Sequence, residues 1–169
     1  TELEPVYVIG NFALKSQQRG FLITPSSNLK TGSWAGQGMP LYGGGVTYTR
    51  EYSVSTDRFD QERFFVELGR WSGVVAEVQV NGKQAGFIAF APFEIEVTDH
   101  IRRGKNNLTV TVYGSLKNTL GPHHNSPPLG RAWPGMFQQG AKDGYPPGSA
   151  YSVVDYGLFD DFRFVVQSR

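Results

Sequence analysis

The stretch from Val74 to Val112 constrains the fold more than any other part of the chain, because apolar and polar residues alternate through most of it. Two of its alternating runs flank the turn residues Asn81-Gly82-Lys83. Asn-Gly between two such runs is a strong β-hairpin signal, since a type I′ turn needs a positive φ at both central residues. The stretch therefore predicts the middle of an antiparallel sheet.

The remaining composition favours many short strands joined by turns. Aromatic residues make up 14% of the chain and charged residues 18%, and there are 21 Gly and 10 Pro among 169 residues. No helical periodicity persists for ten residues anywhere. We therefore predict one all-β domain over residues 1–169, an antiparallel two-sheet sandwich of about eight or nine strands.

Segments near both ends of the chain are also predicted to be strands. Val6 to Leu14 alternates with an interruption at Gly10-Asn11, where a bulge is expected. Tyr151 to Asp155 and Phe162 to Val166 are the last strand candidates, and we expect the final one to pair near the N-terminal strand. Within the sheet, alternation places Arg50 on an apolar face, where it needs a carboxylate or carbonyl partner if buried.

Charge and hydropathy argue against several classes of partner. The net charge of +1 gives no electrostatic case for nucleic acid. No apolar run approaches the ~18 residues of a membrane span, and no cysteine is present to form a disulfide. The chain opens on Thr1 and enters an alternating run almost at once, which suggests a module of a larger protein.

Several motifs share an order and spacing with a known family. Residues 76–112, AEVQVNGKQAGFIAFAPFEIEVTDHIRRGKNNLTVTV, resemble the sugar-binding jelly-roll domain of glycoside hydrolase family 2, and VTYTREYSV at residues 46–54 resembles that family's Tyr-x-Arg-x-aromatic strand. GSLKNTLGPHH at residues 114–124 resembles a C-terminal sandwich of some large bacterial glycosidases. The resemblance implies a galactose-binding-like jelly roll that is an accessory module of a larger glycosidase. For such a module we expect a periplasmic or extracellular location.

The hairpin also predicts which end of the sandwich each connection occupies. We define the near end as the end that holds Asn81-Gly82-Lys83 and the far end as the opposite one. Because antiparallel strands alternate in direction, the charged connections 57–62 and 99–107 fall at the near end. The far end receives residues 32–45, 71–73, 89–92 and 116–150, and with them all three Trp and the pair His123-His124.

Aromatic loops at one end suit carbohydrate, because the C–H faces of a sugar pack on an aromatic ring while polar groups bond its hydroxyls. The predicted ligand-binding residues are Trp34, Tyr42, Arg70, Trp71, Asn118, His123, His124 and Trp133, with Gln37 and Arg131 as further polar groups. The alternative is that Trp34 and Trp133 only pin the two long loops to each other or to the sheet.

The sequence offers little support for chemistry within the chain. Glycoside hydrolysis usually needs two carboxyl groups beside the scissile bond, and the predicted far-end loops contain only Asp143. In family 2 the resemblance implies a separate barrel domain that carries the catalytic carboxylates. Neighbouring histidines in an extended segment point in opposite directions, which argues against a zinc site. Asp155, Asp160 and Asp161 are conceivable donors to a structural calcium ion, although their spacing matches no calcium loop.

Two roles from different classes follow. The first is a non-catalytic domain that binds carbohydrate at the far end or helps shape the active site of a catalytic domain in the same polypeptide. The second is a structural module between domains, with no affinity for sugar, whose aromatic loops form an interface.

Overall fold

A computed structural model describes residues 8–120 and 146–169 of the chain, and it shows an all-β sandwich. The described residues form eleven strands in four antiparallel sheets. The strands are β1 (Phe12–Ser16), β2 (Phe21–Pro25), β3 (Gly45–Val54), β4 (Glu62–Glu67), β5 (Trp71–Ser72), β6 (Val75–Val80), β7 (Lys83–Ile88), β8 (Glu94–Glu96), β9 (Gly104–Tyr113), β10 (Gly157–Leu158) and β11 (Arg163–Ser168). One helical turn, α1 (Lys117–Leu120), follows β9.

The larger sheet has the strand order β3-β9-β6-β7 and contains the hairpin predicted from the sequence. Asn81 and Gly82 have φ values of 52° and 79°, and they join paired residues Val80 and Lys83. Both central residues thus have the positive φ that a type I′ turn requires. Alternate residues of β6 and β9 are fully buried, so the predicted alternation matches the inward face of this sheet.

The smaller sheet, β11-β4-β8, covers the inward face of the larger one. Phe64 and Val66 on β4 are fully buried and belong to the same apolar cluster as Val78 and Leu108. Phe164 of β11 stacks on Phe64, with ring centroids 5.6 Å apart and planes 7° from parallel. The core of the sandwich lies between these two sheets.

Three predictions about the chain ends were wrong for the described residues. Residues 151–155 form no strand, and the last strand pairs with β4 and not with β1. Residues 8–11 are not in a strand either; β1 begins at Phe12 and pairs with β2. Alternation identifies a strand but does not choose its partner, and β4 offers β11 the ring of Phe64.

The predicted division into two ends is confirmed for the described connections. Gly45 and Val75 both pair with Tyr113 at the far end, while Val54 pairs with Gly104 at the near end. The near end is closed by a buried amide, that of Asn106. Its Oδ1 accepts from Asn81 Nδ2 and from the Arg102 backbone N–H, both at 3.0 Å, and its Nδ2 donates to two backbone carbonyls. The buried side chain is therefore fully bonded within the near end.

A strip of three short segments closes the far end. The N–H groups of Gly32 and Trp34 donate to the carbonyls of Leu158 and Tyr156 at 2.7 and 2.9 Å. On its other side, β10 pairs with β5. Gly157, at the middle of the strip, has a φ of 148°, and a Cβ there would overlap the carbonyl oxygen of Gly32. Only glycine combines this φ with so close an approach of two backbones.

We expect Gly157→Ala to lower the free energy of unfolding by about 2 kcal/mol or more, because it adds backbone strain and a steric overlap. Gly36→Ala is a matched control in the same far-end loop, since a Cβ at Gly36 meets no atom within 4 Å. That control should stay within about 0.5 kcal/mol of the wild type. Urea denaturation measures both, and equal stabilities of the two variants would contradict the role given to Gly157.

Candidate functional site

The connections at the far end converge on the segment 154–160, which we call the hub segment. Its residues bond to three of the described far-end segments: Val154 to Asn118, Tyr156 to Trp34, and β10 and Asp160 to β5 and the adjacent Arg70. The sequence predicted a strand ending at residue 155 and gave no sign of this role. Its extended backbone, with donors and acceptors on both edges, is the feature that brings the loops together.

Trp34 is buried, with only 1% of its surface exposed. Its Nε1–H donates to the hydroxyl of Tyr48 at 2.8 Å, and its ring contacts those of Tyr42 and Tyr156 at centroid distances of 6.0 and 6.1 Å. The ring has no free face for a sugar. The prediction of Trp34 as a ligand-binding residue is therefore wrong in this structure, and the alternative packing role fits it.

Asn118 is also enclosed, with 2% of its surface exposed. Its Nδ2 donates to the carbonyl of Val154 at 2.8 Å, and its Oδ1 accepts from the N–H of the same residue at 2.7 Å. The side-chain amide thus pairs with the hub segment as a neighbouring strand would. Gln37 likewise bonds the backbone of its own loop through both amide atoms. These polar groups hold loops in place, which corrects the ligand-binding role predicted for Asn118.

Arg70 forms an ion pair with the carboxylate of Asp160. Its Nε and Nη2 each lie 3.1 Å from a different carboxylate oxygen, and its backbone N–H donates to the same group. These bonds from Arg70 hold the pKa of Asp160 below its ordinary value. The side chain remains 80% exposed, so the guanidinium borders solvent while it fixes the hub segment.

Trp71 and Tyr42 are the described aromatic ligand candidates that keep some contact with solvent. Trp71 is half-buried and meets Phe93 edge to face, with centroids 5.6 Å apart and planes at 88°. Tyr42 is 36% exposed, and its hydroxyl donates to the carbonyl of Gly45 at 3.0 Å. Phe93 had no predicted role; its neighbour Pro92 marked the segment only as a break between strands. Phe90, three residues earlier, is 85% exposed.

Three predicted ligand residues, His123, His124 and Trp133, lie outside the described residues, as do Arg131 and Asp143. Their role as ligand contacts stays a prediction. The described far end therefore contributes Tyr42, Arg70 and Trp71 to the candidate site.

Carboxylates at the far end are more numerous than the sequence suggested, because the hub segment also lies there. Asp155 accepts from the hydroxyl of Ser33 and Asp160 from Arg70, while the next residue, Asp161, accepts at 2.7 Å from Arg50 in the middle of β3. Arg50 thus finds the carboxylate partner expected for it, although at an exposed position. Among residues 8–120 and 146–169, no three acidic, His or Cys side chains are grouped as metal ligands.

The chain is similar in sequence to a glycosidase. A protein of Formosa agariphila described as "Putative beta-glucuronidase" is 32% identical over 92 residues, which make up 52% of this chain and 8% of that protein. No family model matches the chain. The curated relative is therefore more than ten times as long as the matched region.

Two solved glycosidase structures contain the same fold. The rhamnosidase from Novosphingobium sp. PP1Y aligns with 97% of this chain at a TM-score of 0.58 and 19% identity. The Bifidobacterium dentium beta-glucuronidase aligns with 93% at a TM-score of 0.50 and 17% identity. The predicted resemblance to a β-sandwich domain of large glycosidases is confirmed. This chain corresponds to 16% of the first of these structures and 28% of the second, so it is similar to one part of much larger proteins.

No helix in the described part of the chain is both long enough and apolar enough to cross a bilayer.

We expect Asn118→Ala to lower the free energy of unfolding by about 2 kcal/mol, because it removes the partners of the partly buried N–H and carbonyl of Val154. Asn107→Ala removes the same side chain from an exposed position on β9 and should change stability by less than about 0.5 kcal/mol. Denaturant titration measures both variants. A variant at Asn118 with wild-type stability but weaker glycan binding would restore the ligand-binding role.

We expect the Asp160 carboxyl to titrate below its ordinary pKa of 3.8, and Arg70→Gln to return its midpoint toward that value. A lowered folded-state pKa means that the pair stabilises the fold above the ordinary pKa. That stability is lost as the pH falls through the folded-state pKa. Carboxyl NMR at acid pH follows the midpoint directly. Arg50→Gln, whose partner is Asp161, should leave Asp160 unchanged, and an Asp160 midpoint indifferent to Arg70 would contradict the assigned pair.

Proposed function

We propose that this chain is a non-catalytic accessory domain of a glycan-degrading glycoside hydrolase, and that its far end binds carbohydrate or supports the neighbouring active site. The observation that supports this role is the distribution of solvent-accessible aromatic rings. Trp71, Phe93, Phe90 and Tyr42 lie at the far end, whereas the near end holds short turns closed by the Asn106 network. The chain's similarity to the Formosa agariphila protein described as "Putative beta-glucuronidase" supports carbohydrate as the ligand class.

Trp71 and Arg70 form the most suitable part of this surface for a sugar. An aromatic ring next to a fixed guanidinium offers a face for sugar C–H groups and donors for hydroxyls or for a uronic-acid carboxylate. Asp160 accepts from only two of the side-chain nitrogens of Arg70. The exposed guanidinium therefore still has N–H groups that can donate hydrogen bonds to a ligand. The partners we propose are carbohydrate and the catalytic domain of the same polypeptide.

Catalysis is assigned to that other domain. The described carboxylates Asp155, Asp160 and Asp161 each bond a different group of this chain, an arrangement suited to holding loops rather than to paired acid and base chemistry. A glycosidase that meets polysaccharides outside the cytoplasm would place this domain in the periplasm or the extracellular space.

A specific observation favours a second candidate, the structural module between domains. Phe90, Leu116 and Val74 are 85%, 62% and 57% exposed, and they lie at the same end as Trp71. Exposed apolar side chains grouped in this way are typical of protein interfaces. In this role the far end would pack on the catalytic domain and bind no sugar of its own.

Calorimetric titration of the chain with a panel of neutral and uronic-acid oligosaccharides tests the proposal. We expect Trp71→Ala and Trp133→Ala to weaken binding by about tenfold, the equivalent of about 1.4 kcal/mol. Val166→Ala, which trims an exposed apolar residue on β11, is the matched control and should bind as the wild type does. If the folded wild-type chain binds no glycan at all, the carbohydrate role fails and the interdomain role is favoured.

A further inference from the structure

The outer face of the larger sheet carries polar side chains aligned across all four strands. Two adjacent rows share a composition of hydroxyl, amide, carboxylate and aromatic groups. They are Thr47, Thr111, Glu77 and Phe87 in the first row, and Thr49, Thr109, Gln79 and Gln84 in the second. With strands about 4.8 Å apart, each row extends about 14 Å, the length of a short oligosaccharide.

Glu77 is held in a fixed position at the centre of this face. One carboxylate oxygen accepts from the hydroxyl of Tyr113 at 2.9 Å, and the other accepts from Gln79 Nε2 at 3.0 Å. Tyr113 in turn lies over Gly45, where a Cβ would come within 2.8 Å of its ring. Each carboxylate oxygen keeps a further lone pair, so Glu77 can accept from two hydroxyls of a ligand without reorganising.

Phe87 stands beside Glu77 as the cross-strand neighbour on β7, with 57% of its surface exposed. An exposed phenyl ring on the water-facing side of a sheet stabilises nothing in the core, since the adjacent Ile88 already fills the inward position. The ring and the carboxylate together present an apolar face and a pair of acceptors. This is the combination that recognises the C–H face and the vicinal hydroxyls of a sugar.

Charge decides which glycan suits this face. None of the side chains in the two rows is cationic, and the one formal charge belongs to Glu77. A polyanionic chain would meet a carboxylate with no compensating cation, whereas a neutral chain would find hydroxyls, amides and acceptors. We propose that the outer sheet face is a second carbohydrate-binding surface, specific for neutral oligosaccharides and centred on Phe87 and Glu77. It rests on the proposed function only in taking carbohydrate as the ligand class.

The experiment uses calorimetry with cellohexaose, xylohexaose and mannohexaose as neutral probes and hexagalacturonate as the acidic probe. We expect at least one neutral probe to bind. Phe87→Ala should weaken that binding about tenfold and Glu77→Gln about fivefold, through loss of the apolar face and of an acceptor. Val166→Ala is the matched control, because it trims an exposed apolar side chain on β11 of the smaller sheet, and it should change affinity less than about twofold. Unchanged urea midpoints verify that all variants fold.

Shift mapping by NMR locates the ligand independently of the variants. Neutral probes should perturb the amides of Thr111, Gln79 and Phe87 rather than those around Trp71. If Phe87→Ala and Glu77→Gln bind as the wild type does, or if no neutral probe binds the folded chain, the sheet-face site is refuted. Binding that is lost in Trp71→Ala but kept in Phe87→Ala would refute the sheet face while supporting the proposed function at the far end.

Discussion

The far end of this sandwich depends on one buried hydroxyl, that of Tyr48. It accepts from Trp34 Nε1 at 2.8 Å and from the backbone N–H of Leu158 at 3.3 Å. Burial without partners would cost each of these donors about 1–3 kcal/mol. The hydroxyl therefore stabilises both the Trp34 loop and the hub segment in their observed positions. Through it the larger sheet, the loop that carries Trp34 and the hub segment become one unit.

Two further side chains of β3, which alternate with Tyr48 along the strand, also bond the C-terminal part of the chain. Arg50 pairs with Asp161, and the hydroxyl of Tyr52 donates to the carbonyl of Phe162 at 3.2 Å. Tyr48, Arg50 and Tyr52 are the residues that resemble the Tyr-x-Arg-x-aromatic strand of family 2. In this chain that motif fixes the crossing of the C-terminal segment, and it thereby determines which groups at the far end remain for a ligand.

The polar and aromatic residues at the far end fall into two groups, those that bond or pack entirely within the chain and those that remain partly exposed. Asn118 and Gln37 use their amide atoms to bond this chain's own backbone, and Trp34 has lost both ring faces to packing. Trp71 and Arg70 lie at the border, bonded on one side and exposed on the other. The carbohydrate recognition proposed for this end would thus depend on a few partly exposed groups whose positions are fixed by hydrogen bonds within the chain.

The sequence by itself determined the hairpin, the inward residues of the larger sheet and the end at which each loop lies. These follow from local rules: positive φ at Asn81-Gly82, two-residue alternation and the strict reversal of antiparallel strands. It also determined the family resemblance, since motif order is a property of the chain alone. The sequence identified the aromatic and polar residues of the long loops, but it did not determine where their side chains lie.

Only the tertiary structure decided which of those residues face solvent. Trp34 and Trp71 are equivalent in sequence, each in a polar, Gly-containing loop, yet one is buried against Tyr48 and the other borders Phe93. The difference arises because β10 pairs with β5 on one edge and bonds the Trp34 loop on the other, contacts more than 80 residues apart along the chain. Periodicity carries no information about pairing at that distance, so exposure, and with it the candidate site, was set by the packing of the hub segment.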